Sequence, residues 1–284
     1  MSNHPSIEVV KATACGNDFL LIDGTLVGEK DRRSLTQKIC DRHLGIGADG
    51  VEWLFPTDQA DIYAHLINSD GSDAEVSGNG TRCVAAWHTW KNLGQYHRPP
   101  DNLDDLLTTI GTSGSVRVLT DAGVKTCTLV GQRGTEFEFR SDMGEPKIHG
   151  EVALALRTGS LQGMRLSMGN PQFIIFVDEF QSGWQMEGAE IEGHREFPER
   201  TNVEFVKITG PREIEIRIFE RGAGETQSSG TGSCASAVAA IHTGKVKSPV
   251  RVVSPGGPQT VEWESGSVFL TGPARILSRG EFFL

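Results

Sequence analysis

The sequence predicts an α/β protein of two similar domains, each rich in β-strands and each containing one central helix. Short stretches in which apolar and polar residues alternate recur along most of the 284-residue chain. The motif Ser-Gly-x-Gly occurs twice, at 77–80 and at 229–232, and each copy opens a segment with helical spacing and is closely followed by a cysteine. Because the chain is long enough for two ordinary domains, we predict a duplicated, pseudo-symmetric pair.

The first elements are strands and one helix. Residues 7–24 predict two strands separated by a turn at Gly16-Asn17-Asp18, because branched apolar residues flank a strong turn signal. A helix is predicted from Ser34 to Leu44, where apolar residues recur at core-facing spacing. Strands then return at 50–56 and 60–71, the second of which ends in the turn Ser69-Asp70-Gly71.

The second predicted helix begins at Ser77 and carries an apolar stripe that leads to a stop at Gly94. A polar connector is predicted at 98–106. A third helix is predicted at 230–244, where nearly every residue is small or apolar, so we expect protein on all of its sides. Further strands are predicted between and after these elements: 116–123, 125–131, 135–146, 165–179, 202–208 and 213–222, with a strand, a turn and a strand in the tail.

The repeated motifs place the domain boundary near residue 134. The stretch DMGEP at 142–146 resembles SMGNP at 167–171, and each half of the chain contains one Ser-Gly-x-Gly turn. We predict that 1–134 together with 275–284 form one domain, and that 135–274 form the other.

Composition excludes several classes of function. The formal net charge of −10 argues against nucleic acid, because binding to phosphates needs clustered Lys and Arg. No apolar stretch is long enough to span a membrane and the N-terminal segment is unlike a signal peptide, so we expect a cytoplasmic protein. The five cysteines are scattered, which predicts reduced thiols, and the eight histidines lack metal-ligand spacing, which predicts no metal site.

The two Ser-Gly turns predict anion binding. A helix N-terminus leaves backbone N–H groups unpaired and carries a partial positive charge. Glycines at 78, 80, 230 and 232 would let a ligand approach the backbone, with Ser77 and Ser229 at its two sides. Either turn alone is also explained by ordinary capping, since serine is a good N-cap, and it is the repetition that favours a shared ligand.

Several motifs carry a family resemblance along nearly the whole chain: GNDF (16–19), GIGADG (45–50), NSDGSDAEVSGNGTRC (68–83), SMGNP (167–171), FPERTNV (197–203), ERGAGETQSSGTGSCASAVAA (220–240) and TGPA (271–274). In sequence and order they resemble the diaminopimelate epimerases. The resemblance implies two domains, each a strongly curved, mostly antiparallel, barrel-like sheet around a central helix, with the active site in the interdomain cleft. It also implies cofactor-independent, two-base proton transfer at Cα of an amino acid in lysine and peptidoglycan precursor synthesis, and a possible homodimer.

The resemblance also assigns roles to particular residues. Ser77 and Ser229 take the two acid–base positions. The residues implied to bind substrate are Asn17, Asn68, Asn170 and Asn202 for orientation, Glu220 and Arg221 for the amine and distal groups, and Gly78, Asn79, Gly230 and Thr231 for the α-carboxylate.

The sequence departs from the family pattern at the catalytic positions themselves, where the family has two cysteines. A thiol can be deprotonated near neutral pH at a helix N-terminus, whereas a serine hydroxyl needs an adjacent base. Gln172 also stands where the family usually has a histidine, and Cys15 and Gly50 occupy positions of other family residues. These departures put diaminopimelate itself in question as the substrate.

Three explanations of the serines stay open. Both cysteines were replaced deliberately, or the protein is a natural variant with slow epimerase activity helped by Glu220 or Asp18, or it is an isomerase or dehydratase acting on another amino or hydroxy acid. A non-catalytic ligand-binding homologue is the rival from another class. Cys83 and Cys234 lie too far into their helices to replace the serines and are predicted to pack in the core. GIGADG does not predict a dinucleotide site, since a strand-like segment follows it instead of a helix.

Overall fold

The computed structural model describes residues 5–92 and 114–284, and these residues fall into two compact units. The first unit comprises Met1–Ser141 together with Pro273–Leu284, and the second comprises Asp142–Gly272. The helix stop predicted at Gly94 and the connector predicted at 98–106 lie outside the described residues.

The first unit contains strands β1 to β8, helices α1 and α2 and a short 3-10 helix at Gly24–Leu26. Their bounds are β1 Ser6–Ala14, β2 Asn17–Asp23, α1 Glu29–Cys40, β3 Gly50–Phe55, β4 Ile62–Asn68, β5 Asp73–Ala74, α2 Gly78–Asn92, β6 Gly114–Thr120, β7 Gly123–Arg133 and β8 Glu136–Gly144.

The second unit contains strands β9 to β17 and helices α3 and α4. Their bounds are β9 Lys147–Leu156, β10 Gly159–Ser167, β11 Pro171–Phe176, α3 Trp184–Glu192, β12 Asn202–Gly210, β13 Glu213–Glu220, β14 Gly224–Thr226, α4 Gly230–His242, β15 Val250–Ser254, β16 Gly257–Glu264 and β17 Ser267–Phe283. Strand β8 begins in the first unit and ends in the second, and the last strand begins in the second unit and ends in the first.

The two units have the same internal order of strand pairs. In the first, β1 and β2 are antiparallel, β2 and β3 are parallel, β3 and β4 are antiparallel, and β4 pairs with β6 in parallel. In the second, the corresponding pairs β10–β11, β11–β12, β12–β13 and β13–β15 have the same directions. The predicted pseudo-symmetry is therefore present at the level of strand pairing.

Each unit packs its strands around one central helix. Helix α2 contacts β1, β2, β4, β6 and β7, and helix α4 contacts β10 to β13, β15 and β16. Buried residues of α2, including Cys83, belong to the core of the first unit, and Cys234 and its neighbours in α4 belong to the core of the second. The strand-rich α/β class and the two glycine-initiated helices are confirmed, and so is the packing role predicted for Cys83 and Cys234.

The prediction was wrong about the bounds of α1, which begins at Glu29 rather than Ser34 and ends at Cys40 rather than Leu44. Its first turn is polar, with Glu29 and Asp31 near the positive end of the helix dipole, so apolar spacing does not mark it. The helix ends because the backbone of Asp41 is extended, with ψ of 126°.

Several elements were not predicted from sequence, among them helix α3, strand β9, the first residues of β10 and the short strands β5 and β14. Helix α3 has a weak apolar periodicity: Trp184 and Ile191 are its buried large apolar side chains, and Glu192 is buried as well. Strand β9 follows directly after Pro146, and its first seven residues alternate between exposed and half-buried. None of the helices in the described ranges is long and apolar enough to span a bilayer.

Candidate active site

Ser77 forms the N-terminal cap of helix α2. Its Oγ accepts a hydrogen bond from the backbone N–H of Gly80 at 3.1 Å, and its carbonyl oxygen accepts from the N–H of Thr81 at 2.8 Å. Helix geometry leaves the N–H groups of Gly78 and Asn79 without intrahelical partners. A methyl group added at Gly78 would meet no atom within 4 Å, so this part of the turn is open to a ligand.

An asparagine pair lies beside this turn. The Asn79 amide donates to Oδ1 of Asn17 at 2.7 Å, and the Asn17 amide donates to Oδ2 of Asp49 at 3.0 Å. The side chain of Asn79 is buried and also accepts a hydrogen bond from Arg82. Asn17, Ser77, Gly78 and Asn79 are thus brought together. Asn68 is at the end of β4, where its amide donates to Ser72 Oγ at 3.0 Å.

Ser229 caps helix α4 in the same way. Its backbone is extended, with φ of −138° and ψ of 127°, and its Oγ accepts from the N–H of Gly232 at 3.2 Å. Oγ also lies 3.4 Å from Oγ1 of Thr231. Gly230 is less open than Gly78, because a methyl group added there would lie 3.3 Å from the Leu270 side chain.

Glu220 ends strand β13 and is the carboxylate next to Ser229. Burial raises the pKa of Glu220, and interaction with the Ser229 hydroxyl offsets part of that rise. A carboxylate whose pKa is raised toward neutrality is a better general base than an exposed one. Ser229 therefore has the adjacent base that a serine needs for proton transfer.

Asn202 connects two segments of this second turn region. Its amide donates to the carbonyl of Pro171 at 2.9 Å, and its Oδ1 accepts from the N–H of Arg221 at 2.9 Å. The Arg221 guanidinium donates to the carbonyl of Glu199 at 3.2 Å. Asn170 donates to Oγ1 of Thr231 at 3.4 Å. The structure thus brings together the second set of predicted residues: Asn170, Asn202, Glu220, Arg221, Ser229, Gly230 and Thr231.

Gln172 is fully buried next to Asn170. With its amide in one orientation it donates to Oδ1 of Asn170 at 2.8 Å. Turned by half a rotation, it donates to both carboxyl oxygens of Glu204, at 2.8 and 3.2 Å, and accepts from Oγ1 of Thr231 at 3.2 Å. We adopt the second orientation, because in the first the amide oxygen faces only acceptors.

The model of the family described as diaminopimelate epimerase matches residues 9–149 and 164–277. The chain belongs to the diaminopimelate epimerase family. It is 37% identical over 289 residues to the diaminopimelate epimerase of Pelotomaculum thermopropionicum, covering 96% of this chain and 97% of that protein. It is also 37% identical over 274 residues to that of Parabacteroides distasonis, covering 95% of each.

Solved structures outside this family share its fold. A PhzF-family phenazine biosynthesis protein of Bacillus anthracis superposes with a TM-score of 0.70 at 15% identity, covering 99% of this chain and 100% of that one. A hydroxyproline epimerase of Agrobacterium vitis gives a TM-score of 0.66 at 14% identity, covering 98% and 91%. At these identities the likeness concerns the fold alone.

Asp18, considered as a base that activates a serine hydroxyl, and Cys83, considered as a substitute thiol, are unsuited to those roles. Asp18 is held by Lys11 at 2.9 Å and by Arg42 at 2.8 Å. Burial acts to raise the pKa of Asp18, but the hydrogen bonds and charges of Arg42 and Lys11 outweigh it and lower the pKa, so Asp18 is a weak base. Burial raises the pKa of the Cys83 thiol far above its usual range. Among the described residues, no three His, Cys, Asp or Glu side chains are grouped for metal binding.

Sequence reasoning missed two buried carboxyl groups. Glu52 is the third residue of β3 and Glu204 is the third residue of β12, and they are 3% and 0% exposed. The predicted ligand space beside Gly80 and Gly232 is instead filled by these side chains. A methyl group added at Gly80 would lie 2.0 Å from Oε1 of Glu52, and one at Gly232 would lie 2.7 Å from Oε1 of Glu204. A single charged residue within an apolar strand was the available signal.

These contacts predict that two neighbouring glycine substitutions in α2 lower the free energy of unfolding by different amounts. We expect Gly80→Ala to be less stable than Gly78→Ala by about 1–3 kcal/mol, because its methyl group would overlap a buried carboxyl group that has little room to move. Both variants gain the same helix-forming residue, so Gly78→Ala serves as the matched control. Urea unfolding of the two variants measures the difference, and equal stability would contradict the assigned position of Glu52.

Proposed function

We propose that this protein interconverts LL- and meso-diaminopimelate by moving a proton at the α-carbon without a cofactor. The observation that carries the proposal is that Ser77 and Ser229 each cap the N-terminus of a helix, and the resemblance assigns both to the family's acid–base positions. The proposal includes a cytoplasmic location in lysine and peptidoglycan precursor synthesis, a small-molecule substrate and a possible homodimer.

The helix N-termini would bind the α-carboxylate of the substrate. Removal of the α-proton places negative charge on this carboxylate as the carbanion forms. Backbone N–H groups at the start of α2 and α4, including those of Gly78, Asn79, Gly230 and Thr231, would stabilise that charge. This preorganised electrostatic stabilisation takes the place of an organic cofactor that would delocalise the carbanion.

The proton transfer itself would use the serine hydroxyls. In one direction, Ser229 takes the proton from Cα and passes its own hydroxyl proton to the Glu220 carboxylate. The Ser77 hydroxyl delivers a proton to the opposite face of Cα. The proposal requires both serines to act on the same carbon atom. Since hydroxyl groups are weaker acids than thiols, we expect a slower reaction than a cysteine pair would give.

Isotope exchange tests the proposal directly. With LL-diaminopimelate in D₂O, we expect deuterium to enter at Cα and the meso isomer to form, as followed by NMR. The double variant Ser77→Ala with Ser229→Ala is the control and should lose both signals. Binding of the substrate without any exchange by the native protein would contradict the proposal and support a non-catalytic, ligand-binding homologue.

The pH dependence of this exchange follows from Glu220. Glu220 must be ionised to accept a proton, and burial raises its pKa. The rate should therefore fall as the pH is lowered through that raised pKa, above the range of an ordinary exposed glutamate. A rate profile that stays flat down to the pKa of an exposed carboxyl group would exclude Glu220 as the base.

A further inference from the structure

Glu52 is a buried acid to which the described residues offer no hydrogen-bond or ion-pair partner. Its side chain is 3% exposed within β3, and among the described residues no hydrogen bond or ion pair to its carboxyl group is formed. Burial raises the pKa of Glu52 to about 8, and the negative charge of Asp121 adds to the rise. The Cys83 thiol in α2 is the other titratable group that interacts with it. A carboxyl group in this setting keeps its proton at neutral pH.

Ser77 and Glu52 both lie next to Gly80 in the first turn of helix α2. A methyl group added at Gly80 would lie 2.0 Å from Oε1 of Glu52 and 3.3 Å from Cβ of Ser77. The Ser77 Oγ accepts the Gly80 N–H, and its own hydrogen has no acceptor within the described part of the chain. Within the described residues, a hydroxyl group without an acceptor and a carboxyl group without a partner therefore both lie against Gly80.

The corresponding groups of the second unit are arranged differently. Glu204 occupies the same strand position as Glu52 and lies against Gly232, but it receives hydrogen bonds from Gln172. Ser229 has a separate carboxylate neighbour, Glu220. In the first unit, Asp18 is not available as such a neighbour of Ser77, since it is held in ion pairs with Lys11 and Arg42.

We propose that Glu52 is the acid–base partner of Ser77 and exchanges a proton with its hydroxyl group during the isomerisation. This inference rests on the proposed function. In the direction described above, the Ser77 hydroxyl gives its proton to Cα while the Glu52 carboxylic acid reprotonates the Ser77 oxygen. Glu220 gains one proton and Glu52 loses one, and the reverse reaction or exchange with water restores both. The transfer requires the Ser77 hydroxyl to turn from the Gly80 N–H toward Glu52.

The test compares Glu52→Gln in two backgrounds. In the protein with Ser77, we expect Glu52→Gln to slow Cα deuterium exchange by about 100-fold, the lower end of what a positioned acid–base group contributes. In the Ser77→Cys background the thiol exchanges protons without help, so the same change should have little effect. Equal slowing in both backgrounds would show a merely structural role and overturn the inference.

A matched control is available in the second unit. Glu204→Gln alters a carboxyl group that is equally buried and equally placed in its strand, but it lies against the other helix. Glu204→Gln should change the exchange rate by the same factor in the protein with Ser77 and in the Ser77→Cys background. If Ser77→Cys also restored the exchange rate of Glu204→Gln, the rescue would not be specific to Glu52. That result would overturn the assignment of Glu52.

The pH dependence gives a second, independent readout. Because Glu52 must be protonated to donate, the rate in this direction should fall as the pH rises through about 8, and Glu52→Gln should remove that fall. Stability should follow the same group. The raised pKa makes the folded state bind the proton more tightly, so the contribution of Glu52 to stability is fully present below about pH 4 and decreases as the pH rises toward about 8.

Glu52→Gln should lessen this decrease in stability with rising pH. Urea unfolding measures the decrease and does not require enzymatic activity. An unchanged pH profile of both rate and stability in Glu52→Gln would overturn the inference while native exchange continued. Absence of exchange in the native protein would instead contradict the proposed function itself, so the two failures are distinguishable.

Discussion

Glu220→Gln should lower the rate of Cα deuterium exchange by roughly 10²- to 10⁴-fold, the range that a general base contributes. Glutamine keeps the shape of the side chain and cannot accept the proton from Ser229. In Glu220→Gln the remaining exchange rate should no longer fall at low pH. The buried carboxyl group whose raised pKa causes that fall is absent from this variant.

The control for this change is Glu225→Gln. Glu225 is an exposed residue of β14, and its carboxylate accepts a hydrogen bond from Gln185. Steady-state kinetics with LL-diaminopimelate should give a native kcat for Glu225→Gln. A native kcat for Glu220→Gln would remove Glu220 from the mechanism and leave Ser229 without its base.

Replacing both Ser77 and Ser229 with cysteine should accelerate exchange by about 10²-fold or more. A thiol has a free pKa near 8.5, and a helix N-terminus lowers it further, so one thiolate is available near neutral pH. Both residues cap helices through Oγ, and sulfur is a weaker acceptor for the N–H groups of Gly80 and Gly232. A small loss of stability should accompany the gain in rate.

The single variants separate the two positions. Ser77→Cys and Ser229→Cys should each accelerate exchange less than the double variant, and isotope exchange with stopped-flow sampling measures all three. A double variant no faster than the native protein would show that the hydroxyl groups are not rate-limiting, which contradicts the argument from pKa. Urea unfolding of these variants measures how much the weaker helix caps lower the free energy of unfolding.

Local sequence signals predicted the parts of the site that local interactions form. A serine cap followed by glycines marks the start of a helix within four residues, and α2 and α4 begin directly after Ser77 and Ser229. Helix α1 shows the limit of this approach, because its polar first turn has no apolar residue to mark it.

The sequence alone determined the class of fold, the two capped helices and the motifs by which the chain is placed in its family. Only the tertiary structure decided which carboxyl groups lie beside those caps. Glu52 of β3 meets Gly80 of α2, and Glu204 of β12 meets Gly232 of α4. Such contacts depend on strand register and helix packing between residues far apart in the chain, and spacing along the sequence does not encode them.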